Sequence, residues 1–161
     1  MSILPIVKYP DKILETTCDR VTHFDHELKN LLDNMYKTMI AADGVGLAAP
    51  QIGVSRQIAV VDTGGEEGII ELINPELITG SGEQIDVEGC LSFPGLYGKV
   101  PRLERVVVKA NDRYGEEYTI EAFDYLARAI QHEMDHLKGI LFTTKVIEYI
   151  DENDLEGMEE Q

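Results

Sequence analysis

The segment QHEMDH at 131–136 constrains this chain more than any other, because its chemistry requires a helix. Residues four apart on an α-helix lie on the same face, one turn apart. The imidazoles of His132 and His136 can therefore bind one metal ion, and Glu133 can act on a water at that metal. The pattern predicts a metal-binding helix; a chance match on an amphipathic helix is the alternative.

The flanking residues support a helix over 123–139 that ends at Gly139. Four apolar residues recur at helical spacing and predict a buried stripe: Leu126, Ile130, Met134 and Leu137. The two histidines share another face with Tyr125 and Ala129. Glu133 lies between the two faces, beside apolar surface. Such surroundings raise the pKa of a carboxyl group, as a general acid/base needs.

A catalytic metal usually has three protein ligands and an open position, so a third ligand is needed. No histidine follows His136, and the first acidic residue downstream is Glu148. Upstream, the segment EGCLS at 88–92 offers Cys90, whose thiolate is a strong ligand for a borderline-soft metal. A lone cysteine is more often a small buried hydrophobe, and spacing leaves both interpretations open. We expect Cys18 to be structural.

The remaining segments predict strands and one further helix. The helix begins after Asp25 as N-cap and ends before Gly44. Its buried face is predicted at Leu28, Leu31, Leu32, Met35 and Met39. Strands are predicted at 56–62, at 69–78 with a break at Pro75, at 106–112, at 117–122 and at 140–147. Residues 1–24 are predicted to be irregular, 43–55 is predicted to be a loop with special backbone geometry, and 81–102 is again rich in glycine and proline. Runs of strands with two separate helices favour an α+β fold.

Composition excludes several classes of function. The net charge is −16, and an acidic tail over about 148–161 contains no Lys or Arg. Direct binding to nucleic acid or to an anionic membrane needs a basic patch, so we expect neither. The chain has no long apolar run and no signal or transit pattern, which predicts a cytoplasmic protein. Its two cysteines predict reduced thiols rather than a disulfide scaffold.

Three segments together resemble the signature segments of the peptide deformylase family: GVGLAAPQ at 44–51, EGCLS at 88–92 and QHEMDH at 131–136. Their order and distances are those of the family, and the resemblance covers nearly the whole chain, including LINPEL at 72–77. It implies one catalytic domain over 1–161. The expected fold is α+β, with mixed or antiparallel β-sheets around a central metal-binding helix and an N-terminal helix on the outside.

The resemblance also implies the chemistry. One divalent metal ion would be held by Cys90, His132 and His136; Fe²⁺ is expected in the cell, with Zn²⁺, Ni²⁺ or Co²⁺ able to replace it. The implied protein is a hydrolase that acts in protein biosynthesis. It processes the N-terminus of formylmethionyl nascent peptides by removing the formyl group, which is released as formate. A metal-bound water would attack the formyl carbon, with Glu133 as general acid/base. The oxyanion donors would be the Gln51 amide and the Leu91 N–H.

Substrate contacts follow from the same resemblance. The residues expected to bind the peptide and its methionine side chain are Val45, Gly46, Val87, Gly89, Tyr125 and Ala129. An ion pair between Glu88 and Arg102 would steady the turn at Cys90, with a solvent-facing Arg102 as the alternative. Tyr97 stands where some members carry arginine. An acidic tail replaces the long basic helix of some members, so only transient proximity to the ribosome is expected, and the protein is expected to be a monomer.

Two other functions fit parts of the pattern. A general metallopeptidase would cut backbone amides, but common zinc proteases take a third His or Glu ligand from downstream, and this chain does not complete that pattern in the usual place. A non-catalytic metal-binding relative would be expected to have lost Glu133 or Gln51, and both are present. The products distinguish the three hypotheses: formate, a cleaved backbone amide, or neither.

Overall fold

A computed structural model describes residues 3–151, which form two α-helices and eight β-strands joined by loops and three short 3-10 helices. The helices are α1 (His26–Ala41) and α2 (Asp124–Leu137). The strands are β1 (Gly46–Ala48), β2 (Ile58–Val61), β3 (Ile70–Ser81), β4 (Gln84–Cys90), β5 (Phe93–Arg102), β6 (Arg105–Asn111), β7 (Glu117–Phe123) and β8 (Glu148–Ile150). No helix within these residues is long and apolar enough to cross a membrane.

A five-stranded antiparallel sheet, in the order β1-β2-β3-β6-β7, separates the two helices. Strand β2 shows this most clearly, because all four of its residues are buried. Ala59 and Val61 belong to the apolar cluster that contains the stripe of α2. Ile58 and Val60 belong to the cluster that contains α1. Successive side chains of a strand point to opposite faces, so one strand anchors both helices.

A second antiparallel sheet, in the order β4-β5-β8, lies on the other side of α2. Its end meets the histidine face of α2, where Glu88 contacts His132 and Cys90 contacts His136. Helix α2 therefore packs its apolar stripe on one sheet and points its histidines toward the other. The predicted α+β class and the central position of the helix that carries His132 and His136 are confirmed, and both sheets are antiparallel throughout.

Both predicted helices form where the sequence places them. The Asp25 carboxylate caps α1 by accepting from the Leu28 N–H at 3.0 Å. The predicted face of α1 is buried, except that Leu31 is only partly so. All four residues of the α2 stripe are buried. Gly139, with φ of 73°, follows α2 as its predicted stop.

Several predictions of strands and loops were wrong in their bounds. Segment 43–55 is not a simple loop, because it contains β1 and a 3-10 helix at Ala49–Ile52. Pro75 does not break its strand: β3 runs through it, and a register shift between Ile73 and Glu76 absorbs the missing N–H. The glycine- and proline-rich segment 81–102 forms the β4–β5 hairpin.

The end of the chain also differs from its prediction. Residues 140–147 hold a 3-10 helix at Phe142–Thr144 instead of a strand. The strand comes later, as β8, whose Tyr149 pairs with Gly98 of β5. The predicted tail from about 148 therefore begins as sheet, and its remainder from residue 152 lies outside the described residues. Residues 1–24 are largely irregular where described, with one 3-10 helix at Lys12–Glu15.

Candidate metal centre and active site

Helix α2 and the end of β4 bring three ligand atoms together. One ligand atom each from Cys90, His132 and His136 lies within 4.8 Å of the other two, the one such group of His, Cys, Asp and Glu found in the described chain. The Cys90 sulfur is 3.3 Å from His136 Nε2. A thiolate and two imidazoles are a donor set that suits divalent transition metals, so these residues fit one.

Cys90 reaches the cluster because its strand ends in a tight turn. The register of the hairpin shifts between Gly89 and Cys90, so that Cys90 pairs with Phe93 across only two residues. Gly89 is needed there, because a Cβ atom would come within 2.7 Å of the ring of Tyr97. The turn directs a short side chain inward to the helix.

His132 is oriented by a carboxylate behind it. Its Nδ1 is 2.8 Å from Glu88 Oε1, which leaves Nε2 for the cluster. Burial lowers the pKa of His132, but hydrogen bonds to Cys90 and Glu88 outweigh burial and hold the pKa well above its usual value. The same acceptors that favour a proton here also favour a metal cation, so the surroundings suit a bound ion.

His136 is buried without a partner on its outer nitrogen. It is 1% exposed, and burial together with the neighbouring His132 holds its pKa well below the usual value. The imidazole is therefore neutral, which is the form that binds metals. Among residues 3–151, two buried side-chain atoms have no hydrogen-bond partner, His136 Nδ1 and Glu133 Oε1, and both belong to this site.

Glu133 has the surroundings that its position on the helix predicts. It is 4% exposed, and burial raises the pKa of its carboxyl group to about 7, although the positive charge of His132 opposes the shift. One oxygen has no partner, and the carboxyl group lies against the backbone of β1. A Cβ atom at Gly46 would stand 2.8 Å from the Glu133 carboxyl carbon, so only glycine fits.

Gln51 points its amide nitrogen toward the cluster. Its Oε1 accepts from the Ala48 N–H at 3.0 Å, and its Nε2 lies 3.2 Å from Ser92 Oγ and 3.6 Å from the Cys90 sulfur. Ser92 in turn donates to the Val7 carbonyl at 2.6 Å. The amide is thus fixed from both ends. Leu91 lies between Cys90 and Ser92 in the turn, so its N–H belongs to the same wall.

The carboxylate of Glu88 is surrounded by donors. Arg102 pairs with it through Nε and Nη2, each at 2.8 Å, which excludes the solvent-facing alternative for Arg102. Arg128 donates to Glu88 Oε2 at 2.5 Å, and Arg102 also donates to Asp135 at 2.5 Å. Burial raises the pKa of Glu88, but the hydrogen bonds from Arg102 and His132 outweigh burial and hold it well below its usual range.

A cavity of about 550 Å³ opens above the cluster. All six residues predicted to bind substrate line it: Val45, Gly46, Val87, Gly89, Tyr125 and Ala129. So do six other residues of the predicted site: Gln51, Glu88, Cys90, Leu91, His132 and Glu133. His136 and Arg102 are not in the lining. The cavity thus gives a peptide direct access to the carboxyl group and to two of the three ligands.

Sequence reasoning missed three polar residues of the site: Ser92, Arg128 and Asp135. Ser92 lies within the segment EGCLS at 88–92, but no role was predicted for it from the sequence. Arg128 precedes His132 by four residues, so helical spacing could have placed it beside that histidine. Asp135 accepts a hydrogen bond from Arg102 of β5, and only the folded sheet brings the two together.

A Cys–His–His cluster with both histidines buried, beside a buried carboxyl group in a cavity of an α+β fold, is typical of a metal-dependent hydrolase. The family model for Polypeptide deformylase matches residues 3–151, so the chain belongs to the polypeptide deformylase family. The activity of this family is the metal-dependent removal of the N-terminal formyl group from nascent peptides.

Individual relatives agree with the family match. Peptide deformylase 1 of Bacillus anthracis is 58% identical over 156 residues, covering 97% of this chain and 100% of the relative. The crystal structure of a peptide deformylase from Legionella pneumophila has a TM-score of 0.87 at 44% identity and covers 90% of this chain and 86% of that one. The Thermotoga maritima structure has a TM-score of 0.88 at 38% identity, covering 91% and 99%.

Proposed function

We propose that Cys90, His132 and His136 bind one divalent metal ion, and that Glu133, Gln51 and the Leu91 N–H carry out the hydrolysis of the formyl group. The observation that supports this most strongly is that three ligand atoms lie within 4.8 Å of one another beside Glu133 Oε1, a buried carboxyl oxygen with no hydrogen-bond partner. Buried polar groups without partners are rare and call for a functional explanation. The proposed catalytic unit is the whole chain as a single domain.

The reaction consumes water and releases formate and a free amine. When bound, the metal ion supplies Lewis-acid activation of water near neutral pH. Glu133 accepts the proton of the attacking water and delivers it to the leaving amine nitrogen. A carboxyl group whose pKa is about 7 can serve both steps, because it exchanges protons readily at that pH.

Negative charge develops on the formyl oxygen as water attacks. The Gln51 Nε2–H and the Leu91 N–H donate to this oxygen. Gln51 is 1% exposed, and Ala48 and Ser92 fix both ends of its amide, so the donor needs no reorganisation during the reaction.

The peptide occupies the cavity between β1 and β4. Val45 and Gly46 contact it from one side and Gly89 from the other, and its backbone extends along these strands. The methionine side chain occupies the apolar part formed by Val87 and Ala129, with Tyr125 at the rim. Tyr125 is 54% exposed, which suits a residue that covers the substrate only when it is bound.

We infer Fe²⁺ as the metal in the cell, with Zn²⁺, Ni²⁺ or Co²⁺ able to replace it. The Cys–His–His donor set accepts any of these ions, so availability and oxygen decide which is found. A thiolate on iron is open to oxidation, so activity of the Fe²⁺ form should decline in air faster than that of the Ni²⁺ form.

The remaining proposals concern the location of the enzyme, its partners and its oligomeric state. Nascent formylmethionyl chains are found where translation takes place, so we propose a cytoplasmic enzyme in transient proximity to the ribosome. We also propose a monomer, because the candidate site is complete within one chain and needs no residue from a second copy. Membrane or direct nucleic-acid binding finds no support in the net charge of −16.

The test is formate release from a formyl-Met peptide by protein purified without oxygen and loaded with Fe²⁺ or Ni²⁺. Glu133→Ala should retain stoichiometric metal and lose at least about 100-fold in kcat, as loss of a general acid/base predicts. Glu116→Ala, at an exposed position, is the matched control. Full activity of Glu133→Ala would refute the assigned base. A peptide cut at an internal amide would favour a metallopeptidase, and bound metal without any turnover would favour a non-catalytic relative.

A further inference from the structure

Arg128 is a buried charged residue in the cavity wall that the proposed reaction does not use. Its side chain is 4% exposed, yet it lines the cavity beside Val87 and Ala129. Burying a guanidinium is costly unless its donors are all directed at acceptors. The arrangement of those acceptors indicates what the residue does.

Three donors of Arg128 have fixed partners on β4. Nη1 donates to Glu88 Oε2 at 2.5 Å, and Nε and Nη2 donate to the side-chain and main-chain oxygens of Gln84, each at 3.3 Å. The residue therefore connects α2 to the strand that carries Cys90. It also precedes His132 by one helical turn, so both side chains approach the same carboxylate from one helix.

The two oxygens of Glu88 are occupied symmetrically. Oε1 accepts from Arg102 Nη2 and His132 Nδ1, and Oε2 accepts from Arg102 Nε and Arg128 Nη1. The Arg102 fork sets the plane of the carboxylate, and Arg102 is itself held through Nη1 by Asp135. His132 and Arg128 each add one further contact, at opposite ends of the carboxylate.

Arg128 also supplies one of the positive charges that surround Glu88. Arg102 pairs with both Glu88 and Asp135, Arg128 pairs with Glu88, and Lys145 pairs with Asp135. Removing Arg128 would leave one oxygen of a buried carboxylate with a single donor. A buried carboxylate that lacks a donor recruits water or moves, and Glu88 would then no longer hold the His132 imidazole in one orientation.

We propose that Arg128 is a positioning residue for the metal centre: by holding Glu88 Oε2, it fixes the carboxylate that orients the His132 ring. The inference rests on the proposed role of His132 as a metal ligand. Groups bonded directly to a ligating histidine, as Glu88 is, commonly change metal affinity by about 10- to 100-fold when they are removed, so the lower end of that range is expected for Arg128. The guanidinium acts through Glu88 and does not itself touch the metal.

The experiment measures metal binding rather than turnover. The Co²⁺- or Ni²⁺-loaded enzyme is titrated with a chelator, and the visible spectrum of the Co²⁺ form is recorded. Arg128→Met, which keeps the apolar length of the side chain, should raise the metal dissociation constant about 10-fold or more and shift the Co²⁺ bands. Arg128→Lys retains one donor and should show a smaller loss.

Arg105→Met is the matched control, because Arg105 pairs with Glu121 on an exposed face. It should change the dissociation constant less than about 2-fold, as expected of an exposed ion pair. A purely structural role for Arg128 would lower the unfolding temperature of metal-free and metal-loaded protein alike and leave the spectrum unchanged, which would overturn the proposal. If Arg128→Met does not fold, Arg128→Lys decides: metal affinity and spectrum equal to the parent's refute the inference.

A fourth variant separates this inference from the proposed function. His132→Ala should lose stoichiometric metal. If it keeps the metal with parental affinity, the ligand assignment itself fails. If it loses the metal while both Arg128 variants bind as tightly as the parent, only the role of Arg128 fails.

Discussion

At the scale of single residues, the hydroxyl of Ser92 controls the direction in which the Gln51 amide donates its hydrogen bond. Its O–H donates to the Val7 carbonyl, so its lone pairs are left to accept from Gln51 Nε2. One N–H of the amide is then occupied, and the other points toward the cluster. The orientation of Gln51 is therefore a property of three segments of chain that meet at Ser92.

Ser92→Ala should lower kcat about 10-fold with little change in KM, because the donor is misdirected in the transition state rather than lost. Steady-state formate release would measure both constants. Ser81→Ala, at an exposed position outside the cavity lining, is the control and should match the parent. An unchanged kcat for Ser92→Ala would show that Ala48 alone orients the amide.

Glu88 makes a prediction about acid stability. Its pKa in the folded protein lies below its ordinary value of 4.5, so its stabilising contribution is present above that pH and is lost as pH falls further. Glu88→Gln should destabilise the metal-free protein by about 3–5 kcal/mol at pH 7, since it leaves two arginines poorly paired. The difference from the parent should shrink below about pH 4.5.

Urea unfolding of the metal-free parent and variant at pH 7 and pH 4 would measure this difference. The exposed Glu116→Gln should show no pH-dependent difference from the parent. A gap between Glu88→Gln and the parent that widened as pH fell would contradict the assigned direction of the pKa.

At the scale of elements, the helices were predictable and the hairpin was not. Apolar residues at spacings of three and four identify α1 and α2 because a helix buries one face. Strand β4 pairs with β5 across EGCLS, and its exposed and half-buried residues carry no clear alternation. Its glycines indicated a loop, whereas Gly89 serves the close approach of Tyr97 within the sheet.

The candidate site was also predictable only in part. Spacing on one helix identifies His132, His136 and Glu133, and family resemblance adds Cys90 and Gln51 from distant segments. The contacts of Asp135 and Arg128 were not predictable, because they depend on how the second sheet packs against α2. Contacts between different helices and strands follow no regular spacing in the sequence, so sequence patterns cannot reveal them.

The stop of α2 can be tested with a second glycine as reference. Gly139 has φ of 73°, and a Cβ atom there would lie 2.7 Å from the backbone carbon of Glu15. Gly53 has φ of 83° but no atom within 4 Å of such a Cβ. Gly53→Ala should cost about 1–2 kcal/mol from the left-handed backbone alone.

Gly139→Ala should cost about 1–3 kcal/mol more than Gly53→Ala, because the backbone of the neighbouring segment must move as well. Urea unfolding of the two variants and the parent would give the difference. Equal losses of unfolding free energy in the two variants would mean that the segment near Glu15 moves aside at no cost in free energy.

At the scale of the whole molecule, charge should influence which peptides react fastest. The net charge is −16, and Asp43 lies exposed in the cavity lining. Arg128, the basic residue among the described residues that line the cavity, is buried against Glu88. Peptides with lysine two positions after the methionine should therefore be preferred over those with glutamate there.

The expected preference in kcat/KM is about 2- to 5-fold, the size of an exposed charge interaction, and it should fall as salt is raised. Rates for formyl-Met-Ala-Lys and formyl-Met-Ala-Glu at two salt concentrations would measure it. Asp43→Asn should reduce the preference, and Glu66→Gln, outside the cavity lining, should not. A preference for the acidic peptide would refute the electrostatic argument.

The hydrogen bond between Ser92 and Val7 joins residues 85 positions apart, and the contact between Cys90 and His136 spans 46. The proposed active site is therefore drawn from segments that leave the ribosome at very different times. Contacts so distant in sequence form late and slowly. No growing chain of this protein can hold the complete cluster before His136 has emerged, so a copy can process another newborn chain only after that residue has been synthesised.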